Sequence, residues 1–226
     1  MGKNKFLRSK QQPISKRKSE IRNPKTSAIL IVTEGEKTEP LYFQGIANYI
    51  STNFENNIDI NSPKLTIQGK GLGTVRLVKE AAIMVSRSTR EYSQCWVVFD
   101  KDYYTDFDEA VSLANRYGLN VAWSNSSFEY WLLLHFKSDS IARTPSEWCQ
   151  RLDEELKKAG LLTEDYGKNN ACISVLATSK GYLKRAVENA QARENQQISI
   201  APSKQNPGTT VHHLIASLKP YIAELL

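Results

Sequence analysis

Short apolar runs rich in β-branched residues alternate with segments of helical periodicity through the first part of the chain. The first run, residues 28–32, has the length and composition of a buried strand and is followed by Gly35. Similar runs occupy residues 64–68, 94–99 and 120–124, and apolar residues recur at helical spacing between them. This alternation predicts an α/β fold, in which a parallel sheet of about four strands carries helices on both faces.

The two ends of the chain differ from this core in composition. Residues 1–26 hold nine basic residues and one acid, a balance of +8 in a chain whose total is +6. Because this segment has few apolar residues, we predict a disordered N-terminal arm that either attracts polyanions or only aids solubility. We place the α/β core at residues 27–136, and a mostly helical C-terminal extension that packs on it at residues 137–226.

The composition argues against several classes of protein. No run approaches the roughly 18 apolar residues of a membrane span, and no apolar stretch follows the basic N-terminus as in a secretory signal. The three cysteines lie far apart without a CxxC pair, which is typical of a reducing compartment. We therefore expect a cytoplasmic protein that does not bind a membrane.

Acidic residues follow two of the predicted strands. Glu34 comes after the first strand, and Asp100 and Asp102 come after the third, two apart and so on the same side of an extended chain. If these strands are neighbours, three carboxylates meet where the mouths of parallel strands bind ligands. The repulsion between these carboxylates would be offset by a hard cation bound between them, Mg²⁺ or Mn²⁺. The alternative is that Asp100 and Asp102 only end a strand and solvate a turn.

Four sequence segments together resemble the RloB family. They are TEGEKTE at 33–39, VVFDKD at 97–102, SNSSFEYWLLLHF at 124–136, and NP at 206–207 followed by TTV at 209–211. The resemblance implies a Toprim-like domain, the fold shared by topoisomerases, bacterial primases and overcoming-lysogenization-defect nucleases. It also implies that Glu34 acts as acid or base and that Asp100 and Asp102 bind Mg²⁺.

The resemblance further implies a biological setting. Members of the family are associated with prokaryotic restriction and phage-defence loci, including abortive infection, often beside a separate ATPase. Our leading hypothesis is a metal-dependent nuclease that hydrolyses phosphodiester bonds in DNA or RNA. Two alternatives stay open at this stage. One is a non-catalytic nucleic-acid-binding module that acts with a partner ATPase, and the other is a nucleotidyl transferase.

Three lysines are candidates for contact with nucleic-acid phosphates. Lys37 and Lys101 flank the acids, and each either neutralises the scissile phosphate or pairs with a neighbouring carboxylate. Lys70 lies in the glycine-rich segment 69–74, which is either a phosphate cradle before a helix or a flexible turn. Lys168 and Lys180, in the helical part, are weaker candidates.

Two further acids have alternative roles. Asp106 either completes a metal shell or opens the next helix, and we favour the helix start because an acid suits its dipole. Glu129 forms a capping box with Ser126 or joins the acidic cluster, since the fourth strand ends at the same edge of the sheet. Both possibilities for Glu129 stay open.

The three histidines are expected to play structural or surface roles. His135 lies in a strongly apolar segment, so we predict a buried histidine with satisfied hydrogen bonds. His212 and His213 are adjacent on a predicted helix, where neighbouring side chains diverge by about 100°. We therefore expect them to be surface residues with poor geometry for sharing a metal ion.

Overall fold

The fold was analysed in a computed structural model, which describes residues 28–55, 65–69, 74–101 and 105–226. The predicted N-terminal arm at 1–26 lies outside these residues. The same is true of two candidate site residues, Lys70 and Asp102.

Strands and helices alternate through the first half, and helices dominate the second. The strands are β1 (Ala28–Thr33), β2 (Leu65–Gly69), β3 (Tyr92–Asp100), β4 (Asn120–Asn125) and β5 (Gly208–Thr209). The first helices are α1 (Thr38–Glu55), α2 (Thr74–Arg87), α3 (Phe107–Arg116) and α4 (Phe128–Leu133). The later helices are α5 (Pro145–Lys158), α6 (Cys172–Thr178), α7 (Lys180–Asn195), α8 (Val211–Ser217) and α9 (Lys219–Ile222).

The strands form one sheet in the order β2-β1-β3-β4-β5. The first four strands are parallel, which confirms the α/β class and the predicted number of parallel strands. The short fifth strand runs antiparallel to β4. It was not predicted, because two residues are too few to show a period of two.

Helices cover both faces of the sheet, as the sequence predicts. Alternate residues of β1 point to opposite faces, so Ile29 and Ile31 enter one hydrophobic cluster and Leu30 and Val32 enter the other. The first cluster includes residues of α1 and of helices α4 to α9. It therefore contains residues both of the predicted core, 27–136, and of the predicted C-terminal extension, 137–226. The second cluster includes residues of α2 and α3.

The C-terminal helices are shorter than their periodicity predicts. The sequence of residues 174–195 predicts one helix, but Ser179, whose backbone is extended, divides it into α6 and α7. The sequence of residues 209–226 predicts another, but this segment starts with β5 and continues as α8, α9 and a final 3₁₀ turn. Pro220 in the first turn of α9 cannot donate the backbone hydrogen bond that would continue α8. Within the described ranges, no helix has the length and apolar character needed to cross a bilayer.

Candidate active site

The acidic ends of β1 and β3 lie side by side. The two strands pair in parallel, with Thr33 opposite Val98. One residue further along, the backbone N–H of Glu34 donates to the Val98 carbonyl at 2.8 Å. The side chain of Glu34 then reaches β3, where its Oε2 accepts a hydrogen bond from the backbone N–H of Asp100 at 3.1 Å. The structure thus brings together Glu34 and Asp100, two of the three carboxylates that the sequence places at this edge.

A pocket of about 340 Å³ opens at this edge of the sheet, and we call it the acid pocket. Its lining residues are Glu34, Gly35, Glu36, Lys37, Thr38, Glu39, Asp100 and Lys168. The candidate Lys37 therefore lies in the same pocket as the two strand-end acids. So does Lys168, which sequence reasoning ranked as a weak candidate.

Glu39 adds a third carboxylate in the first turn of α1. It is buried, with 6% of its surface exposed, and it packs against Gly35. A Cβ atom at position 35 would collide with the Glu39 carboxylate, so glycine lets that carboxylate lie directly against the backbone of the turn. The chain therefore turns from β1 into α1 in a way that places Glu34 and Glu39 in one pocket.

Glu129 lies with the acids and does not form a capping box. The residue that precedes α4 is Ser127, and its side chain makes no capping hydrogen bond. Ser126 instead donates its hydroxyl hydrogen bond to the carbonyl of Arg143, at 3.0 Å. The capping-box interpretation was therefore wrong. Glu129 is 2% exposed, and its Oε1 lies 3.9 Å from the Nζ of Lys168.

Burial and the charges of neighbouring acids raise the pKa values of Asp100 and Glu39. Burial is the largest cause for Asp100, whose pKa is well above its ordinary range, and the charges of Glu39, Glu129 and Glu34 raise it further. The backbone N–H of Phe128, 3.1 Å from Asp100 Oδ2, acts in the opposite direction. Burial, with a smaller effect of Glu129, raises the pKa of Glu39 to about 7. Glu129 in turn raises the pKa of Lys168.

These groups fit a hard divalent cation better than a softer metal. Apart from the amino groups of Lys37 and Lys168, the polar side chains that line the acid pocket offer carboxylate and hydroxyl oxygens, which suit Mg²⁺ or Mn²⁺. Among the described residues, its carboxylates do not form a group of three whose ligand atoms all lie within 4.8 Å. Mg²⁺ does not require such a group, because it keeps several waters and commonly binds through one or two carboxylates.

A second pocket, of about 320 Å³, lies beside the acid pocket, and we call it the amide pocket. Its lining residues are Lys101, Asn125, Ser126, Arg143, Thr144, Pro145, Ser203 and Asn206. The two pockets are adjacent because Asp100 lines the acid pocket and the next residue, Lys101, lines the amide pocket. The backbone N–H of Lys101 donates a hydrogen bond to the Ser124 carbonyl on β4. Lys101 therefore lines the amide pocket and not the acid pocket. Arg143 is held there by Asp139, 3.3 Å from its Nε, and by the ring of Trp148.

The remaining candidates lie elsewhere. Asp106 directly precedes α3, as we favoured, although its side chain makes no capping hydrogen bond. Lys180 is exposed at the start of α7. His135 is fully buried, and its ring nitrogens contact the Tyr42 hydroxyl and the carbonyls of α4, which confirms the prediction of a satisfied buried histidine.

Sequence reasoning did not assign Glu39 or Arg143 to a site. Glu39 did carry a signal, because an acid in the first turn of a helix that follows Glu34-Gly35 returns to the mouth of the same strand. Arg143 carried none, since it lies in an irregular segment before α5. Its position depends on the tertiary contacts with Asp139 and Trp148.

Comparison with known proteins gave one match. A family model described as RloB-like protein matches residues 29–218. No curated protein and no solved structure matches the chain. The matched range includes every described residue of the acid pocket and of the amide pocket.

Proposed function

The chain belongs to the RloB-like family, and from this premise and the geometry of the acid pocket we propose that it is a metal-dependent phosphodiesterase acting on nucleic acid. One observation carries the proposal: the carboxylates of Glu34, Glu39 and Asp100 line one pocket at the mouths of parallel strands. The charge of the buried Glu129 acts on two of them, Glu39 and Asp100. Burial, and after it the charges of neighbouring acids, raise the pKa values of Glu39 and Asp100, and a bound divalent cation would offset both effects.

Glu34 and Asp100 are the residues that would hold Mg²⁺ or Mn²⁺, with Asp102 as a further proposed ligand. When bound, such an ion polarises a phosphate oxygen and lowers the pKa of a coordinated water. Glu34 is also placed to accept a proton from the attacking water, because its carboxylate is fixed at the end of β3 by the Asp100 N–H. Lys168 and Lys37 line the same pocket, where they stabilise negative charge on the phosphate.

The amide pocket supports nucleic acid as the substrate. Arg143 and Lys101 supply cationic groups for a phosphate next to the scissile one. Asn125 and Asn206 offer amides that can donate to or accept from a base or sugar. We also propose that Lys70 and the basic arm at 1–26 contact the phosphate backbone further away.

We propose the biological setting from the family resemblance. In this proposal the protein acts in the cytoplasm in phage defence or restriction, together with a partner ATPase of the same locus. The two alternative functions would use the same surfaces. A binding module would need only the cationic groups, whereas a nucleotidyl transferase would use the acids to form a phosphodiester bond.

The direct test incubates the full chain with plasmid DNA, single-stranded DNA and RNA, each in Mg²⁺ and in Mn²⁺. We expect cleavage that falls by about 100-fold or more in Asp100→Asn and in Glu34→Gln, since losing even an outer-shell partner of a metal costs about 10–100-fold. Both replacements keep an oxygen that can accept the backbone hydrogen bonds of Phe128 and of Asp100. A loss of activity would therefore not follow from a lost fold.

Glu154→Gln is the matched control, because Glu154 is an exposed acid on α5 outside both pockets. It should cleave as the wild type does. Intact substrate under every condition, with binding retained in the acid-pocket variants, would overturn the nuclease proposal in favour of a binding module. Incorporation of labelled nucleoside triphosphates that depends on Asp100 would favour the transferase.

A further inference from the structure

Two histidines and a glutamate converge between α7 and α8. The Nε2 of His212 lies 3.0 Å from Oε2 of Glu194, and the Nε2 of His213 lies 2.8 Å from Oε1 of the same carboxylate. One ligand atom from each residue lies within 4.8 Å of the other two. Among the residues that the structure describes, this is the one group of three metal-ligating side chains that meets this distance.

The geometry corrects the expectation that both histidines are surface residues that diverge. His212 is 2% exposed and His213 is 47% exposed, so the pair crosses from the interior to the surface. Their rings nevertheless lie close together, with centroids 4.2 Å apart and planes tilted by 34°. The two side chains bend toward one carboxylate because Glu194 approaches from the neighbouring helix and presents both of its oxygens.

We propose that Glu194, His212 and His213 form a binding site for a divalent transition metal ion, best suited to Zn²⁺. Two imidazole nitrogens and one carboxylate oxygen are a common zinc ligand set, and the usual fourth ligand is water. The exposed side of His213 gives solvent access to that fourth position. Mg²⁺ is a poor occupant, since it prefers oxygen ligands alone.

Ion binding replaces the contacts seen without metal. In the metal-free form each Nε2–H donates a hydrogen bond to an oxygen of the Glu194 carboxylate, which can only accept. When Zn²⁺ binds, each Nε2 coordinates through its lone pair, and its proton moves to Nδ1 of the same ring or to solvent. The Glu194 carboxylate then binds the ion and no longer accepts from both rings. No atom changes its oxidation state, and the bonds that break are the Nε2–H bonds of the two rings.

The site is separate from the acid pocket and would join α7 to the segment that follows β5. No residue of the group lines the acid pocket or the amide pocket. His212 lies three residues after Thr209, whose hydroxyl contacts that of Ser124 on β4 at 3.1 Å. A bound ion would therefore fix α8 against α7 and hold β5 at the edge of the sheet.

The chain has only three histidines, which makes the test specific. Untagged full chain, treated with a chelator and dialysed, is titrated with Zn²⁺ while the histidine ring signals are followed by NMR. We expect the signals of two histidines to shift and saturate at one equivalent of Zn²⁺. The third signal, from the buried His135, should stay in place and serves as an internal control.

Two variants test whether these residues bind the zinc ion. His213→Ala alters an exposed ring and Glu194→Gln keeps the shape of the side chain, so both should fold. Competition with a chromophoric chelator should show a Zn²⁺ affinity about 100-fold or more below wild type in each, since losing even an outer-shell partner costs about 10–100-fold. Glu154→Gln, at an exposed acid of α5 outside both pockets and outside this group, should bind Zn²⁺ as the wild type does.

Other results would overturn the proposal. Unshifted signals of His212 and His213 at one equivalent of Zn²⁺ would show that the group is a hydrogen-bonded clamp without metal. Equal affinity in wild type and His213→Ala would place any bound zinc elsewhere, for example on a cysteine. Neither result would bear on nuclease activity, which is measured separately with Mg²⁺ in the acid pocket.

Discussion

The Oε2 atom of Glu34 accepts a hydrogen bond from the backbone N–H of Asp100 at 3.1 Å. The bond links the acidic end of β1 to the acidic end of β3 through the protein itself. Glu34 therefore has two separable properties. Its oxygen satisfies a backbone donor, and its charge contributes to the acid pocket.

The two properties of Glu34 predict different behaviour for two replacements. Glu34→Ala leaves the Asp100 N–H without this acceptor, which typically costs about 1–3 kcal/mol for a buried donor. Glu34→Gln keeps an accepting oxygen and removes one repelling charge. We expect urea unfolding to give the Gln variant a free energy of unfolding higher than that of the Ala variant by about 1 kcal/mol or more. Equal stabilities would show that the hydrogen bond contributes nothing to the fold.

Gly35 and Glu39 are expected to behave as a coupled pair. Gly35→Ala places a methyl group where the Glu39 carboxylate lies, and a buried side chain cannot easily move away. Overpacking of this kind costs about 1–3 kcal/mol. In a Glu39→Ala background the space is vacated, so the same Gly35→Ala change should cost much less.

A double-mutant cycle of unfolding free energies measures this coupling. The two single variants and the double variant are compared with the wild type under one set of conditions. We expect a coupling of about 1 kcal/mol or more. Additive effects of the two replacements would mean that the Glu39 side chain finds another position at no cost.

The fold was predictable from the sequence where the patterns are local and long. The parallel core depends on four apolar strands and on helices of clear periodicity. Both patterns can be recognised in a single sequence. The break between α6 and α7 was missed although Ser179 directly before α7 is a helix-start signal, because apolar residues on both sides of it keep helical spacing. The strand β5 forms only because residues far apart in sequence, Thr209 and Ser124, meet across the sheet.

The candidate site was predictable to the extent that it depends on strand ends. Glu34 and Asp100 follow apolar strands, and the parallel pairing of β1 with β3 brings them together. Glu129 was left undecided, because its sequence spacing fits a capping box equally well. Lys168 was ranked low, since it reaches the acid pocket from an irregular segment between α5 and α6 and no periodicity marks that approach.

Divalent cations should stabilise the protein more at higher pH. The pKa of Asp100 and that of Glu39 are raised in the folded state, mainly by burial, so the folded state holds protons that the unfolded chain releases. These protons contribute to the free energy of unfolding fully below pH 4, the ordinary pKa being about 4. The contribution is lost as pH rises through about 7, the pKa of Glu39 in the folded protein. If Mg²⁺ binds as we propose, it competes with those protons for the carboxylates.

Thermal unfolding tests this competition directly. We expect saturating Mg²⁺ to raise the melting temperature more at about pH 8 than at about pH 5.5, because fewer protons occupy the carboxylates at the higher pH. NaCl at matched ionic strength controls for screening, and Asp100→Asn should weaken the response to Mg²⁺. A shift in melting temperature that is the same at both pH values would argue against cation binding by these acids.

His135 should make the protein less stable in acid. Its ring is fully buried between the Tyr42 hydroxyl and the carbonyls of Trp131 and Leu132. Because burial disfavours the charged ring, its pKa is lowered from 6.5 to about 4. The unfolded chain therefore binds a proton before the folded chain does, as pH falls below 6.5. Stability is unaffected by this group above that pH and is lost between about pH 6.5 and pH 4.

Comparison with His135→Gln isolates this contribution. Glutamine offers a donor and an acceptor but does not titrate, so the cost of the replacement itself is the same at every pH. Urea unfolding at about pH 7.5 and at about pH 4 should show that the wild type loses about 3 kcal/mol more than the variant on acidification, from a pKa difference of roughly 2.5. Asp100 and Glu39 titrate in both proteins, and their effects cancel in the comparison. If both proteins lost stability in parallel, the folded pKa of His135 would have to lie near its ordinary value.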